Sequence, residues 1–211
     1  MFILRLLFLF CILFTPRILY CIELLGETNN TSYSIQLASF ADLESIMALD
    51  IAISYEYFKP LFLQYPEFEG KENEVEKMLA DEIETDNLWF ADCIAMKEYQ
   101  RLFIACQNNN CVGFVACHRQ DAAIIVIDLL MIAAENRGKG IGKQLIHTCI
   151  LAFPEASTCM LIVLDKNKQA CDVYEKIGFI LMNEKPSFVQ EKYSHPRYIC
   201  YQWSKFNNNL L

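Results

Sequence analysis

The sequence lacks the features by which several common classes of protein are recognised. No uninterrupted apolar stretch reaches the ~20 residues that a transmembrane helix needs. The ten cysteines include no C-x-x-C pair, and none of the three histidines lies near a cysteine pair at the spacing of zinc ligands. We therefore predict no metal site, and we interpret the scattered cysteines as reduced, small hydrophobic side chains.

Basic residues are also few. Lys and Arg number 18 against 26 Asp and Glu, which gives a net charge of -8. This balance argues against nucleic-acid binding, because proteins neutralise phosphates with Lys and Arg. Nine acidic residues and two lysines lie between Glu67 and Asp86. Two interpretations stay open for this acidic segment: a solvated helix face, or a rim that attracts a cationic substrate.

The N-terminus is the most apolar part of the chain. Met1 to Phe14 is apolar except for Arg5, and it resembles the core of a signal peptide. No A-x-A cleavage pattern follows it. Three interpretations stay open: an export signal, a membrane anchor, or a stretch outside the functional domain. We predict an extension over residues 1–31, one folded domain over residues 32–205 and a tail over residues 206–211. Membrane contact is expected only through residues 1–25, if they are retained.

Within the predicted domain, short β-rich runs alternate with amphipathic runs in the order β-α-α-β-β-β-α-β-α-β-β. The run Ala122–Ile132 is the richest in β-formers, which predicts a central strand. In the acidic segment, apolar residues recur at helical spacing, so one stripe of that helix is expected to face the core. The stripe consists of Val75, Met78, Leu79 and Ile83.

A glycine-rich segment, Arg137–Gly142, separates the central strand from the next helix. Alternating glycines let the backbone approach a ligand closely, and the first amides of a helix attract anions. The segment fails the P-loop pattern, and it fails the dinucleotide pattern because position 143 is Lys. It therefore predicts a phosphate cradle of another kind.

Two motifs in this order give the chain a family resemblance. Arg137, Gly140 and Gly142 fill the pattern [RQ]-x-x-G-x-[GA]. Downstream, the pattern N-x-x-A-x-x-x-Y-x-x-x-G-F is filled by Asn167, Ala170, Tyr174, Gly178 and Phe179. The chain resembles the GNAT superfamily of N-acetyltransferases from about Ser32 to Lys205, weakly across the acidic segment. The resemblance implies an α/β (α+β) fold with a mixed, mostly antiparallel sheet of six to seven strands flanked by helices.

The resemblance also implies a role for each matching residue. Acetyl-CoA would be the co-substrate, with Tyr174 donating a proton to the leaving thiolate. Asp128 takes the position of a Glu that serves many relatives as general base, and an Asp at the site mouth with no proton-transfer role is the alternative. The cofactor-binding residues would be Leu130, Ile132, Arg137, Gly138, Lys139, Gly140, Ile141, Gly142, Lys143, Asn167 and Ala170.

The implied reaction is direct attack of a primary amine on acetyl-CoA in a ternary complex. Direct attack needs no protein nucleophile, so we interpret none of the cysteines as catalytic, and His118, His147 and His195 as isolated residues. The acceptor would meet residues 55–82 and 185–196, and the acidic segment favours a cationic amine. The alternative function is a non-catalytic acyl-CoA-binding regulatory module, tethered to a membrane. We predict a cytoplasmic location, with a membrane-anchored or exported protein as alternatives, and leave monomer and homodimer open.

Overall fold

The structure is a computed structural model. It describes residues 24–28, 31–95, 99–193 and 195–205, with side chains described outside residues 24–32, 191 and 192. Residues 1–23, which include the signal-like run Met1–Phe14, and the tail over residues 206–211 lie outside the described residues. The predicted domain bounds and the three interpretations of the N-terminus therefore stay predictions.

Eight strands form one sheet in the order β1-β2-β3-β4-β5-β6-β8-β7. All neighbours are antiparallel except β5 and β6, which are parallel. The predicted mixed, mostly antiparallel fold is confirmed. The strands are β1 Leu24–Thr28, β2 Thr31–Leu37, β3 Gln100–Gln107, β4 Asn110–Arg119, β5 Ile124–Ile132, β6 Thr158–Leu164, β7 Ile180–Leu181 and β8 Tyr198–Ser204.

Strand β1 is the one strand beyond the seven that the pattern predicts. It lies in the segment assigned to the N-terminal extension, and it pairs with β2 at the edge of the sheet. Glu23 separates its two leucines from the apolar N-terminal run, and Gly26, Glu27 and Thr28 follow them, so no alternation of apolar and polar residues marks a strand.

Helices cover both faces of the sheet. On one face, α1 (Leu43–Ile53) and α3 (Glu72–Ile94) bury Ile46 and Phe90 against Phe114 of β4. On the other face, α4 (Ile141–Ala152) and α5 (Lys168–Lys176) join the larger core, with Leu145 packed there. Two short helices complete the set, α2 (Lys59–Phe62) and α6 (Ser187–Lys192).

The acidic segment folds as predicted. It forms most of the long helix α3, and Val75, Leu79 and Ile83 of the predicted stripe are buried while Met78 is half-buried. Most of the acidic residues of the segment remain exposed on the other sides of the helix. The apolar stripe therefore fixes α3 on the sheet, and its charges stay in water at little desolvation cost.

The parallel pair of strands opens into a wedge. β5 and β6 pair only where Ile124–Ile127 runs beside Thr158–Leu161. Beyond that point, within the described chain, β5 continues to Ile132 paired only with β4, and β6 continues to Leu164 paired only with β8. The main-chain edge of residues 128–132 that faces β6 thus has no strand partner there. We call this gap the β5–β6 wedge, and it opens at the carboxyl ends of both strands, where ligands of α/β sheets commonly bind.

Candidate active site

The glycine-rich segment forms the first wall of the β5–β6 wedge. After a 3-10 turn over Ala134–Asn136, Gly138 and Gly140 adopt left-handed φ angles of 76° and 81°. Gly140 is the N-cap of α4, and the first amide of the helix to bond back to it is that of Gln144. The three preceding helical amides therefore have no partner inside the helix, which is the arrangement that binds phosphate.

The start of α4 lies directly over β5. A Cβ added at Gly142 would sit 3.9 Å from side-chain atoms of both Leu130 and Ile132. A Cβ added at Gly138 would meet nothing within 4 Å, so this glycine borders open space. The structure thus brings the predicted β5 residues and the predicted phosphate loop together.

Arg137 is held inside the site rather than extended into solvent. Its Nε donates to the carbonyl of Ile132 at 3.0 Å, and its guanidinium lies 4.6 Å from the centre of the Tyr57 ring. Lys139 is half-buried and Lys143 is exposed. The three predicted cations therefore lie on the loop and on the first turn of α4, in a chain that is otherwise acidic.

The second wall follows β6. Asn167 is the N-cap of α5, and its Oδ1 accepts a hydrogen bond from the Ala170 amide at 3.2 Å. Asn is among the favoured N-cap residues because its side chain satisfies an amide that the helix cannot. Asn167 and Tyr174 are buried and Ala170 is half-buried, as expected for residues spaced three and four apart on one helix face.

Tyr174 lies in an aromatic environment. Its ring centre is 6.0 Å from that of Phe179 and 6.1 Å from that of Tyr201. Burial raises the pKa of the Tyr174 hydroxyl above its ordinary value, and the nearby Cys171 and Tyr57 act in the same direction. The hydroxyl therefore stays protonated at neutral pH and can act only as a proton or hydrogen-bond donor to a developing thiolate.

Asp128 lies at a break in the β4–β5 register. Ala116 pairs with Leu129 and Cys117 pairs with Ile127, so no residue of β4 lies opposite Asp128 in the backbone register. Such a bulge re-aims a side chain and is frequent beside active sites. The Oδ2 of Asp128 is 2.6 Å from Nδ1 of His118.

The prediction that the histidines are isolated is therefore wrong for His118. It is also wrong for His195, whose Nε2 lies 3.5 Å from a carboxylate oxygen of Glu67. His118 and Asp128 are ten residues apart on neighbouring antiparallel strands, so only the strand register brings them together. A sequence pattern could have found this pair only by assigning that register together with its bulge.

Two tyrosines that the sequence analysis did not select reach the second wall. The Tyr57 hydroxyl donates to Oδ1 of Asn167 at 2.7 Å, and the Tyr65 hydroxyl donates to Oδ1 of Asp165 at 2.6 Å. Both come from the early helical region, about a hundred residues upstream of their partners. No local spacing links them to the motif, so no signal in the sequence identifies them.

Other chemical groups near the site point to no further reactive centre. Burial raises the pKa of the Cys171 thiol, which disfavours the nucleophilic thiolate. Within the described ranges, no three metal-ligating side chains lie together, and no helix combines the length and apolarity that a membrane crossing requires. That the cysteines are not catalytic, and that the protein uses no metal, stay predictions.

Known proteins resemble this chain in sequence and in fold. Residues 60–179 match the family described as "Acetyltransferase (GNAT) family". Streptothricin acetyltransferase A of Bacillus subtilis (strain 168) is 31% identical over 87 residues, which cover 40% of this chain and 50% of that protein. The chain thus spans about half the length of this curated relative in the match.

The solved structures agree on the fold. The PaiA N-acetyltransferase of Thermoplasma acidophilum, in complex with coenzyme A, matches with a TM-score of 0.64 at 16% identity, over 82% of this chain and 99% of that one. Arabidopsis thaliana Naa50, in complex with the bisubstrate analogue CoA-Ac-MVNAL, matches with a TM-score of 0.52 at 22% identity, over 82% and 98%. The family match covers more than half of the chain and both walls of the wedge, and the chain belongs to the GNAT acetyltransferase family.

Proposed function

We propose that the protein is an N-acetyltransferase that moves the acetyl group of acetyl-CoA onto a primary amine. The observation that carries this proposal is the β5–β6 wedge, because one of its walls is an anion-binding helix start and the other bears a buried, protonated Tyr174. A ligand with phosphates at one end and a thioester at the other suits such a pair of walls. We place the activity in the cytoplasm, where coenzyme A thioesters are normally found.

The first wall suits the pyrophosphate of acetyl-CoA. The outward amides of Ile141, Gly142 and Lys143 would donate to its oxygens, and Lys139 and Lys143 add positive charge. The open space at Gly138 leaves room for a phosphate close to the backbone. The edge of β5 at Leu130 and Ile132 has no strand partner there, and the main-chain groups that Arg137 does not occupy would bond the amides of the pantetheine arm as a strand would.

Acetyl transfer forms one bond and breaks another. The amine nitrogen attacks the thioester carbon, the new C–N bond forms, and the C–S bond breaks with its electron pair on sulfur. The pair of Asp128 and His118 takes the proton that the ammonium group loses before attack, and the nitrogen loses a second proton to water as the amide forms. Tyr174 donates a proton to the thiolate, so the products are the amide, the free thiol and one released proton. Both protein groups return to their starting states by exchange with water.

We also propose that the acceptor is a cationic amine. The proposed acceptor side of the sheet carries α1 and α3. Burial raises the pKa of the Asp50 carboxyl on α1, and Asp86 and Glu82 of α3 act in the same direction. Asp50 is buried, and within the described residues neither of its oxygens has a hydrogen-bond partner. Asp50 itself is partly neutral at pH 7, so the exposed acidic residues of α3 supply the negative charge that attracts ammonium groups and repels anionic acceptors.

The test is thiol release from acetyl-CoA by the full chain against a panel of amines. The panel contains streptothricin and a free peptide N-terminus, which the names of the relatives suggest, a polyamine, and a neutral aromatic amine. We expect release that depends on a cationic amine and that falls at least about tenfold in Tyr174→Phe, which keeps the ring but removes the proton donor.

Tyr201→Phe is the matched control, because Tyr201 packs against Tyr174 and its hydroxyl bonds Glu175 instead. A similar loss in both variants would assign the effect to packing. Acetyl-CoA binding without release on any amine would favour the alternative, a binding module without turnover.

A further inference from the structure

Tyr57 lies on a turn of unusual geometry. Between α1 and α2, residues Ser54–Phe58 form a π-helix, in which the amide of Lys59 bonds the carbonyl of Ser54. Pro60, in the first turn of α2, has no amide hydrogen to give to the carbonyl four residues before it, so one α-helical hydrogen bond is missing where the π-helix joins α2. Short π-helical turns are frequent at functional sites, because they re-aim the side chains that they carry.

The Tyr57 side chain touches both walls of the β5–β6 wedge. Arg137 lies on the loop that follows β5, and its guanidinium stacks over the Tyr57 ring at 4.6 Å from the ring centre. Its hydroxyl donates to Asn167 Oδ1 at 2.7 Å, on the loop that follows β6. One side chain from the early helical region thus connects the two motifs by which the family is recognised.

The hydrogen bond to Asn167 has a geometric consequence. A carboxamide oxygen has two lone pairs, and Oδ1 of Asn167 accepts both from Tyr57 at 2.7 Å and from the Ala170 amide at 3.2 Å. The Ala170 amide can only donate, so a flip of the carboxamide would lose that bond and would force the Tyr57 hydroxyl to change from donor to acceptor. The Nδ2 group of Asn167 is thereby set as a donor on the side away from the helix end.

We propose that Tyr57 is a positioning residue for acetyl-CoA, which fixes the Asn167 side chain so that its Nδ2 donates to an amide carbonyl of the pantetheine arm. The inference rests on the proposed function, because it takes Asn167 as a contact of the co-substrate. Tyr57 itself acts through Asn167 and through the ring that it offers to Arg137. Its hydroxyl contributes to affinity by arranging a donor before the ligand arrives.

Tyr65 offers a matched control. Its hydroxyl makes a bond of nearly equal length to Asp165 of the same loop, two residues before Asn167. Tyr57→Phe and Tyr65→Phe each remove one hydroxyl and keep the ring. The first loses one hydrogen bond between the early helices and this loop, and the second loses two, because the Tyr65 hydroxyl also accepts from the amide of Lys166. Only Tyr57→Phe changes the partner of Asn167, and it leaves the ring below Arg137 in place.

The experiment measures acetyl-CoA binding by calorimetry and steady-state kinetics on the full chain and its variants. We expect Tyr57→Phe to raise the Kd and KM for acetyl-CoA about three- to tenfold with little change in kcat, and Tyr65→Phe to leave both constants unchanged. We also expect Tyr57→Phe to have no further effect in an Asn167→Ala background, because the positioned group is then absent.

Two results would overturn the inference while the wild-type chain still binds acetyl-CoA. Tighter binding by Tyr57→Phe would show that the hydroxyl competes with the co-substrate, and equal binding by all three proteins would show that Asn167 needs no positioning. Absence of acetyl-CoA binding by the wild-type chain is a different outcome, because it contradicts the proposed function itself.

Discussion

At the scale of single residues, the site depends on pairs that strand register creates. His118 and Asp128 meet because a bulge places Asp128 outside the regular β4–β5 pairing. A carboxylate bonded to Nδ1 of an imidazole orients the ring and sets its tautomer. The pair is therefore suited to take a proton from an incoming amine.

This pairing predicts a pH-dependent defect in His118→Gln. We expect kcat/KM for the amine to fall about a hundredfold near neutral pH, because a positioned general base contributes at least that factor. The defect should shrink as pH rises, since a growing share of the amine then loses its proton to water. A pH–rate profile against His195→Gln, which alters a histidine bonded to Glu67, checks this. A loss of equal size at every pH would contradict a proton-transfer role.

Sequence reasoning found the site residues that lie close along the chain. Asn167, Ala170 and Tyr174 are spaced three and four residues apart at the start and along one face of α5, so their spacing alone places them together. The partners of Asp128 and Asn167 could not be found in this way. His118 depends on the register of two strands, and Tyr57 lies 110 residues from Asn167 and reaches it only through tertiary packing.

At the scale of elements, the loop between β5 and α4 is built by glycines in left-handed conformations. Gly138 has a φ of 76°, and a side chain added there would meet no protein atom within 4 Å. Gly70, before α3, has a φ of 69° and equally open surroundings. The two glycines thus have the same conformational need, but only Gly138 belongs to the proposed phosphate site.

This comparison predicts that Gly138→Ala and Gly70→Ala lose similar stability but differ in ligand binding. Each should cost ~1 kcal/mol in the free energy of unfolding, because both place a Cβ in a left-handed conformation. Only Gly138→Ala should weaken acetyl-CoA binding, by threefold or more, because its backbone borders the phosphates. Denaturant unfolding and calorimetry measure the two effects. Equal affinity in both variants would contradict the assignment of this loop to the phosphates.

The order of elements was largely predictable, and the remaining differences have physical causes. The seven predicted strands and the stripe of α3 follow from periodicity alone. The wedge could not be predicted from the residues themselves, because it depends on where β5 stops pairing with β6. The strand β1 was missed because its five residues show no alternation of apolar and polar side chains.

At the scale of the whole molecule, acidic side chains meet where α1 packs on α3, and their ionisation lowers the free energy of unfolding. Burial, with the nearby charges of Asp86 and Glu82 acting in the same direction, raises the pKa of Asp50 to about 7. An unfolded carboxyl titrates near ~4. Between these values the folded protein binds one more proton than the unfolded chain at this position.

The contribution of Asp50 to the free energy of unfolding should therefore fall as pH rises from about 4 to about 7. Above pH 7 this contribution should change little. The contribution is fully present at acid pH, and each pH unit in the window costs up to ~1.4 kcal/mol. We expect Asp50→Asn to become more stable relative to wild type across this window, by a few kcal/mol at pH 8. Urea unfolding at pH 5 and pH 8 checks it, with Asp121→Asn, at an exposed site, as control. A pH-independent difference would contradict the raised pKa.

The central claim is that an amine attacks acetyl-CoA directly on this fold, without an acetylated protein intermediate. The most direct measurement varies acetyl-CoA and a responding amine together and follows the acetyl group by mass spectrometry. The account predicts intersecting initial-velocity lines, the acetyl group on the amine in equal amount to released thiol, and an unmodified chain. Parallel lines with an acetyl group on a cysteine, or an acetyl-CoA that stays intact with every amine, would contradict it.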